Sequence, residues 1–131
     1  MSRINDFLTE AGVFYMATVD GNQPKLRPLG AHMIMDDKLM FAIGDFKDVY
    51  KQLQVNPLTE IVACNASGKW LRYTGKVVFE SDPKYAQAVL EAAPDMKNIY
   101  NDVTGYQLKM FHLEEATAVL IYMMGEGEPI E

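Results

Sequence analysis

Three short turn signals constrain this chain more than any other feature. Asp20-Gly21, Asp36-Asp37 and Ser67-Gly68 each lie between two runs of β-forming residues, and so short a link joins antiparallel neighbours. The first joins VFYMATV to a return strand over residues 24–29. Pro24 and Pro28 cannot donate to a ladder, so that strand is expected at a sheet edge or interrupted near Pro28. The second joins residues 32–35 to 38–43, and the third joins 60–66 to a long arm over 69–80. Two further strands are expected over 108–113 and 117–124. Short hairpin-linked strands in one small unit hide their edges best by curling into a closed or nearly closed barrel.

Helices fill the gaps between hairpins. Ser2 is placed to cap a short amphipathic helix carrying Ile4, Phe7, Leu8 and Ala11, which Gly12 ends. A second runs from about residue 47 to 55, with Asp45 as candidate N-cap, Asp48 in its first turn and Asn56-Pro57 closing it. A third starts at Asp82-Pro83 and runs to Ala93, where Pro94 breaks it. Residues 95–106 read as irregular, with a helical turn over 96–100, and GEGEPIE reads as an acidic mobile tail.

Size and composition fit one domain spanning residues 1–131: the chain is 49% hydrophobic and 23% charged. No apolar run is long enough for a bilayer, and the start MSRINDFLTE lacks a signal-type core, so a cytoplasmic protein is expected. The single cysteine, Cys64, has no internal partner and reads as a buried strand position. Two histidines, His32 and His112, without a Cys/His cluster give no basis for a metal site. The nine methionines suit core filling and a pliable apolar pocket equally. No catalytic triad, P-loop or paired-carboxylate signature is present.

The net charge of −6 disfavours nucleic acid and anionic membranes as partners. Between Lys25 and Lys76, however, eight basic residues stand against five acidic ones, enough to hold a small anion. Within that stretch Arg27 ends a strand, and Gly30 and Ala31 allow close backbone approach to a flat ligand. Lys47 opens a helix, where a cation opposes the macrodipole unless an anion is near. Arginine, lysine and helix-start N–H groups are the parts of a phosphate site. On residues alone, Arg27 also fits an exposed edge-strand arginine. Val77, Val78 and Phe79, and the run after Ala116, are apolar on both strand faces, which calls for cover such as a second subunit.

The pieces FYMATVDGNQPKLRPLG, KLMFAIG, KDVYKQLQVNP and GKWLRYTGKVVFE, in this order and spacing, resemble the FMN-binding split-barrel family. That family includes pyridoxamine-phosphate oxidase, general-stress flavoproteins and a nitroimidazole-reductase branch, the branch to which KDVYKQL followed by NP is most similar. The resemblance implies a mainly β fold, an antiparallel split β-barrel with short flanking helices, working as a homodimer. It also implies an FMN phosphate held by Arg27 and Lys47, with Lys51 and Gln52 as secondary candidates. The flavin would lie along Leu29, Gly30 and Ala31, with Trp70 and Arg72 where a partner chain contributes. No catalytic side chain or metal is implied. The implied activity passes electrons from NAD(P)H to a small acceptor such as a nitro-aromatic. The alternative is a non-catalytic stress-response module that binds a flavin or another flat ligand, its site degraded because Asp45 and Phe46 precede the helix lysine. Trp70 equally fits core or interface packing, Arg72 an acidic partner, and His32 either a proton donor or a structural histidine.

Overall fold

Each turn signal closes a hairpin in the computed structural model, which describes residues 1–125 and 127–131. Strands β1 (Phe14–Asp20) and β2 (Gln23–Leu29) pair along their whole length, with Gly21 at the φ of 62° that the tight turn needs. Pro28 does not interrupt β2. It sits opposite Tyr15 on an edge strand whose one partner is β1, so its missing N–H costs the sheet nothing. Strands β3 (His32–Met35) and β4 (Lys38–Gly44) turn through Asp36 and Asp37, at φ 49° and 60°. Aspartate tolerates that left-handed conformation, and Asp36 is held there by the Tyr85 hydroxyl at 2.6 Å and Lys84 Nζ at 3.1 Å. Between β5 (Leu58–Cys64) and β6 (Trp70–Phe79), Asn65 Oδ1 accepts from the backbone N–H groups of Ser67 and Lys69.

The strands form one antiparallel sheet in the order β2-β1-β5-β6-β7-β4-β3. No pairing joins β2 to β3, yet the sheet curls until Phe14 of β1 and Phe41 of β4 meet edge to face, 5.6 Å between ring centroids. Phe41 also stacks on Phe111 of β7 at 5.3 Å. Strands far apart in the order therefore share one aromatic core, and alternation supplies it: Phe14, Met16 and Thr18 point inward from β1, as do Thr59, Ile61 and Ala63 from β5. Helix α1 (Ser2–Ala11) closes the core with Ile4, Phe7 and Leu8, and α2 (Asp48–Val55) with Val49 and Leu53.

Several expectations need correction. The two final strands are one, β7 (Leu108–Ile121), bent by a bulge in which Glu115 (φ 51°) and Ala116 oppose Gly75 alone. The polar Glu114-Glu115 pair reads as a turn in sequence, but both halves continue along β6. Gly75 permits this, since a Cβ there would lie 3.0 Å from Ala116 Cβ. The acidic tail is docked: β8 (Gly127–Pro129) pairs with β7, Ile130 is buried, and Glu128 bonds Arg3 at 3.0 Å and the Tyr122 hydroxyl at 3.1 Å. Glu126, part of that tail, lies outside the described residues. Cys64 is exposed, because the inward positions of β5 end at Ala63.

Ser2 is the first helical residue and not the cap; the Met1 carbonyl accepts from Asn5 N–H. Helix α3 (Pro83–Ala92) is capped as its sequence implies, the Asp82 side chain accepting from Lys84 N–H. It ends one residue before Ala93, and a 3-10 turn (Pro94–Asn98) follows. The second apolar face of β4 and β7 is covered within the chain, where Tyr85 and Val89 of α3 pack on Met40, Ala42, Leu108 and Met110. Among the described residues no helix is long and apolar enough to cross a membrane.

Phe41 has no exposed surface and joins the two ends of the curled sheet. Phe41→Ala should cost about 3–5 kcal/mol of stability, read from the urea midpoint. A loss below about 1 kcal/mol would mean that the aromatic contact does not close the sheet.

Candidate functional site

Thr18 occupies an inward position of β1 and is 2% exposed, so its hydroxyl needs partners within the protein. It finds two. Thr18 Oγ1 donates to Gln52 Oε1 at 2.6 Å and accepts from Arg27 Nη1 at 2.7 Å. Arg27 Nη1 also donates to the Met16 carbonyl at 3.1 Å, and Nη2 donates to Gln52 Oε1 at 2.8 Å. A guanidinium has five N–H donors; these bonds use three and leave two. Burial lowers the pKa of Arg27, a nearby Asp48 opposes that shift, and the guanidinium stays charged throughout the accessible pH range.

The start of α2 lies beside this network. Its N-cap is Lys47, in extended conformation with no side-chain capping bond, so the first-turn N–H groups lack a side-chain acceptor. Asp45 does not cap the helix. It is tied to the start of β7, its Oδ1 accepting from Gln107 N–H at 2.9 Å and its own N–H donating to the Gln107 carbonyl at 2.9 Å. Phe46 stacks on Tyr106 at 4.2 Å, and Lys47 Nζ stands 5.1 Å from the Phe46 ring. Tyr100 and Phe46 press so closely on Gly44 that a Cβ there would lie 2.6 Å from the Tyr100 hydroxyl.

These elements enclose an open cleft of about 850 Å³, within the range of small-molecule and cofactor sites. Four basic residues (Lys25, Arg27, Lys47 and Lys51) and two acidic ones (Asp20 and Asp48) line it. Basic side chains, uncapped helix N–H groups and an apolar floor fit a flat ligand bearing a phosphate. A second cavity of about 640 Å³ shares Tyr100 and Leu108 with the first as a common wall.

Of the residues singled out from sequence, Arg27, Leu29, Lys47, Lys51 and Gln52 line this cleft. Gly30 and Ala31 follow β2 but do not line it; Ala31 packs against the cluster around α3. Trp70 and Arg72 are also outside it. Arg72 Nε pairs with Glu60 at 2.9 Å, and its guanidinium lies 4.9 Å from the Trp70 ring. Sequence reading passed over Thr18, Gly44 and Tyr100. Thr18 alone left a signal, a hydroxyl at an inward position of an alternating strand.

His32 is outside the cleft, its Nδ1 2.7 Å from Asn5 Oδ1 and its ring edge-on to Phe14. His112 is buried on β7, its Nε2 bonded to Glu114 Oε2 at 2.8 Å, with Glu80 Oε1 2.5 Å from Nδ1 but without hydrogen-bond alignment. Among the described residues no group of His, Cys, Asp and Glu could hold a metal ion.

The family model for pyridoxamine 5'-phosphate oxidase matches residues 1–125. The chain belongs to this family. Among solved structures, it is similar to a NimC/NimA family protein from Clostridium acetobutylicum, with 35% identity, a TM-score of 0.88, and 99% of this chain and 90% of that chain covered. A pyridoxamine 5'-phosphate oxidase-related, FMN-binding protein from Nostoc punctiforme shares 17% identity at a TM-score of 0.61, covering 99% of this chain and 96% of that one. A protein related to general stress protein 26, also from C. acetobutylicum, shares 11% identity at 0.72, covering 99% and 92%. No match was found among curated proteins. The curled sheet, open between β2 and β3, is the split barrel of the pyridoxamine 5'-phosphate oxidase family.

Burial holds the His32 imidazole below its ordinary pKa of 6.5, so the folded state favours the neutral ring. The unfolded chain then binds the proton first, and stability from this group is complete above pH 6.5 and lost as pH falls below it. Urea midpoints should therefore decline from about pH 7.5 to about 5, and His32→Gln should flatten part of that decline. An identical slope in the variant would assign it to other groups.

Proposed function

We propose that the cleft between β2 and α2 holds FMN and that the protein is an FMN-dependent oxidoreductase, passing electrons from a reduced nicotinamide to a small acceptor such as a nitro-aromatic. Membership of the pyridoxamine 5'-phosphate oxidase family supports a flavin-binding protein. The observation that carries the finer reading is the convergence of Arg27, Lys47 and the uncapped start of α2 on one cleft. When bound, FMN supplies the redox chemistry, accepting hydride equivalents and releasing electrons to the acceptor. The chain's own residues bind and orient. Arg27 and Lys47 would hold the phosphate, Lys51 and Gln52 would support them, and Leu29 would border the ring system.

The sequence alternative, a degraded non-catalytic site, drew on Asp45 and Phe46. Neither side chain lines the cleft, and Asp45 is engaged with Gln107, so the carboxylate does not compete for the helix N–H groups. The nitro-aromatic acceptor rests on the similarity of KDVYKQLQVNP to the nitroimidazole-reductase branch and on the NimC/NimA family relative.

A homodimer belongs to the same proposal. Tyr15 is 45% exposed and Leu58 60% exposed, and Tyr15, Val62 and Arg72 lie in one cross-strand row on the outer sheet face. Tyr15 is opposite Pro28, which lines the cleft. A second copy on this face would border the cofactor cleft, bringing Trp70 and Arg72 to the seam. Tyr15→Glu should shift the protein towards monomer in light scattering; an unchanged mass would move the interface elsewhere.

The purified protein should take up FMN, bleach with reduced nicotinamide and recover colour with a nitro-aromatic. Failure to bind added FMN would overturn the reading, and binding without bleaching would leave a non-catalytic flavin protein. Arg27→Ala should weaken FMN binding by about 1.5–3 kcal/mol, the worth of charge-assisted hydrogen bonds. Unchanged affinity would remove Arg27 from the site.

A further inference from the structure

We propose that Thr18 is a positioning residue that sets Arg27 and Gln52 into an anion receptor presenting only N–H donors, and that this receptor makes the cleft selective for a ligand ending in a phosphomonoester. The inference rests on the reading of this cleft as an FMN site.

The hydrogen-bond polarities leave one arrangement. Arg27 can only donate, so the Gln52 atom 2.8 Å from its Nη2 is the amide oxygen. Thr18 accepts from Arg27 Nη1 at 2.7 Å, and its own proton goes to the same Gln52 oxygen at 2.6 Å. Gln52 Oε1 thus has both lone-pair directions filled, and its amide N–H groups are turned away from the network. Nε2 has no hydrogen-bond partner among the described residues, and Gln52 lines the cleft. Every acceptor in the network is satisfied internally. Its unused capacity consists of two Arg27 N–H groups and two Gln52 N–H groups, all donors.

A dianionic phosphate monoester accepts several charge-assisted bonds from such a set. A neutral hydroxyl at the same place can use only its acceptor capacity against these donors and carries no charge to strengthen the bonds. Thr18 is buried and does not line the cleft; it acts through its neighbours. Valine has the shape of threonine without the hydroxyl, and at residue 18 would leave an Arg27 N–H facing a methyl group. The guanidinium would then have to move to recover an acceptor.

The test is a fluorescence titration of FMN and riboflavin, which differ by the phosphate, against wild type, Thr18→Val, Thr18→Ser and Thr18→Ala. Wild type should prefer FMN by at least about tenfold. Thr18→Val should weaken FMN by about tenfold while leaving riboflavin within about twofold, and Thr18→Ser should restore the preference. A Thr18→Val protein that keeps the wild-type FMN-to-riboflavin ratio would overturn this inference alone. Equal affinities in wild type would overturn the phosphate anchor itself, and this inference with it. If Thr18→Val fails to fold by circular dichroism, Thr18→Ala decides, because it deletes the hydroxyl without adding a charge. Loss of its FMN preference supports the inference, and a retained preference overturns it.

Discussion

The structure depends on one aromatic contact. Phe41, on β4, meets Phe14 across the interior at 5.6 Å although four pairing steps separate their strands in the sheet. A flat sheet of these strands would expose one whole face. Curling turns the inward side chains of β1, β4, β5, β6 and β7 onto each other, and the hydrophobic gain fixes the curvature. α1 and α2 then cover the open ends of the interior.

Curvature also makes the site. It carries the inward position of Thr18 up to α2, so a hydroxyl that would be routine on a solvent-facing strand is 2% exposed and must bond Gln52 and Arg27. A buried polar group without partners costs more than its bond returns, so the three side chains specify one another. Arg27, on an edge strand, is therefore held in place before any ligand arrives, and preorganisation of this kind lowers the ordering cost of binding. Asp45, two residues before the helix lysine, is held outside the cleft lining, its carboxylate and its backbone N–H each bonded to the Gln107 backbone. The barrel places Gln107 beside it from the far end of the chain.

The same geometry explains why net charge is a poor guide here. The chain is strongly acidic overall, with a net charge of −6, yet the cleft gathers Lys25, Arg27, Lys47 and Lys51 against Asp20 and Asp48. Glu80, Glu114 and Glu128 are occupied elsewhere, with His112, Lys38, Arg3 and Tyr122. An anionic ligand meets a local field opposite in sign to the distant one.

Hairpin order, the edge position of β2, the α3 cap at Asp82-Pro83, the helical spacing of Ile4, Phe7 and Leu8 and the gathering of basic residues around Arg27 and Lys47 were legible in the sequence. Each follows from local chemistry: turn residues, proline's missing donor and side-chain period. The single β7 with its bulge, the docking of β8, the outward Cys64, the role of Thr18 and the exclusion of Trp70 and Arg72 from the cleft were not. Those outcomes depend on which strands become neighbours and on how far the sheet curls. Local propensity does not encode distances between residues such as Asp45 and Gln107, or Gly75 and Ala116, that only folding brings together.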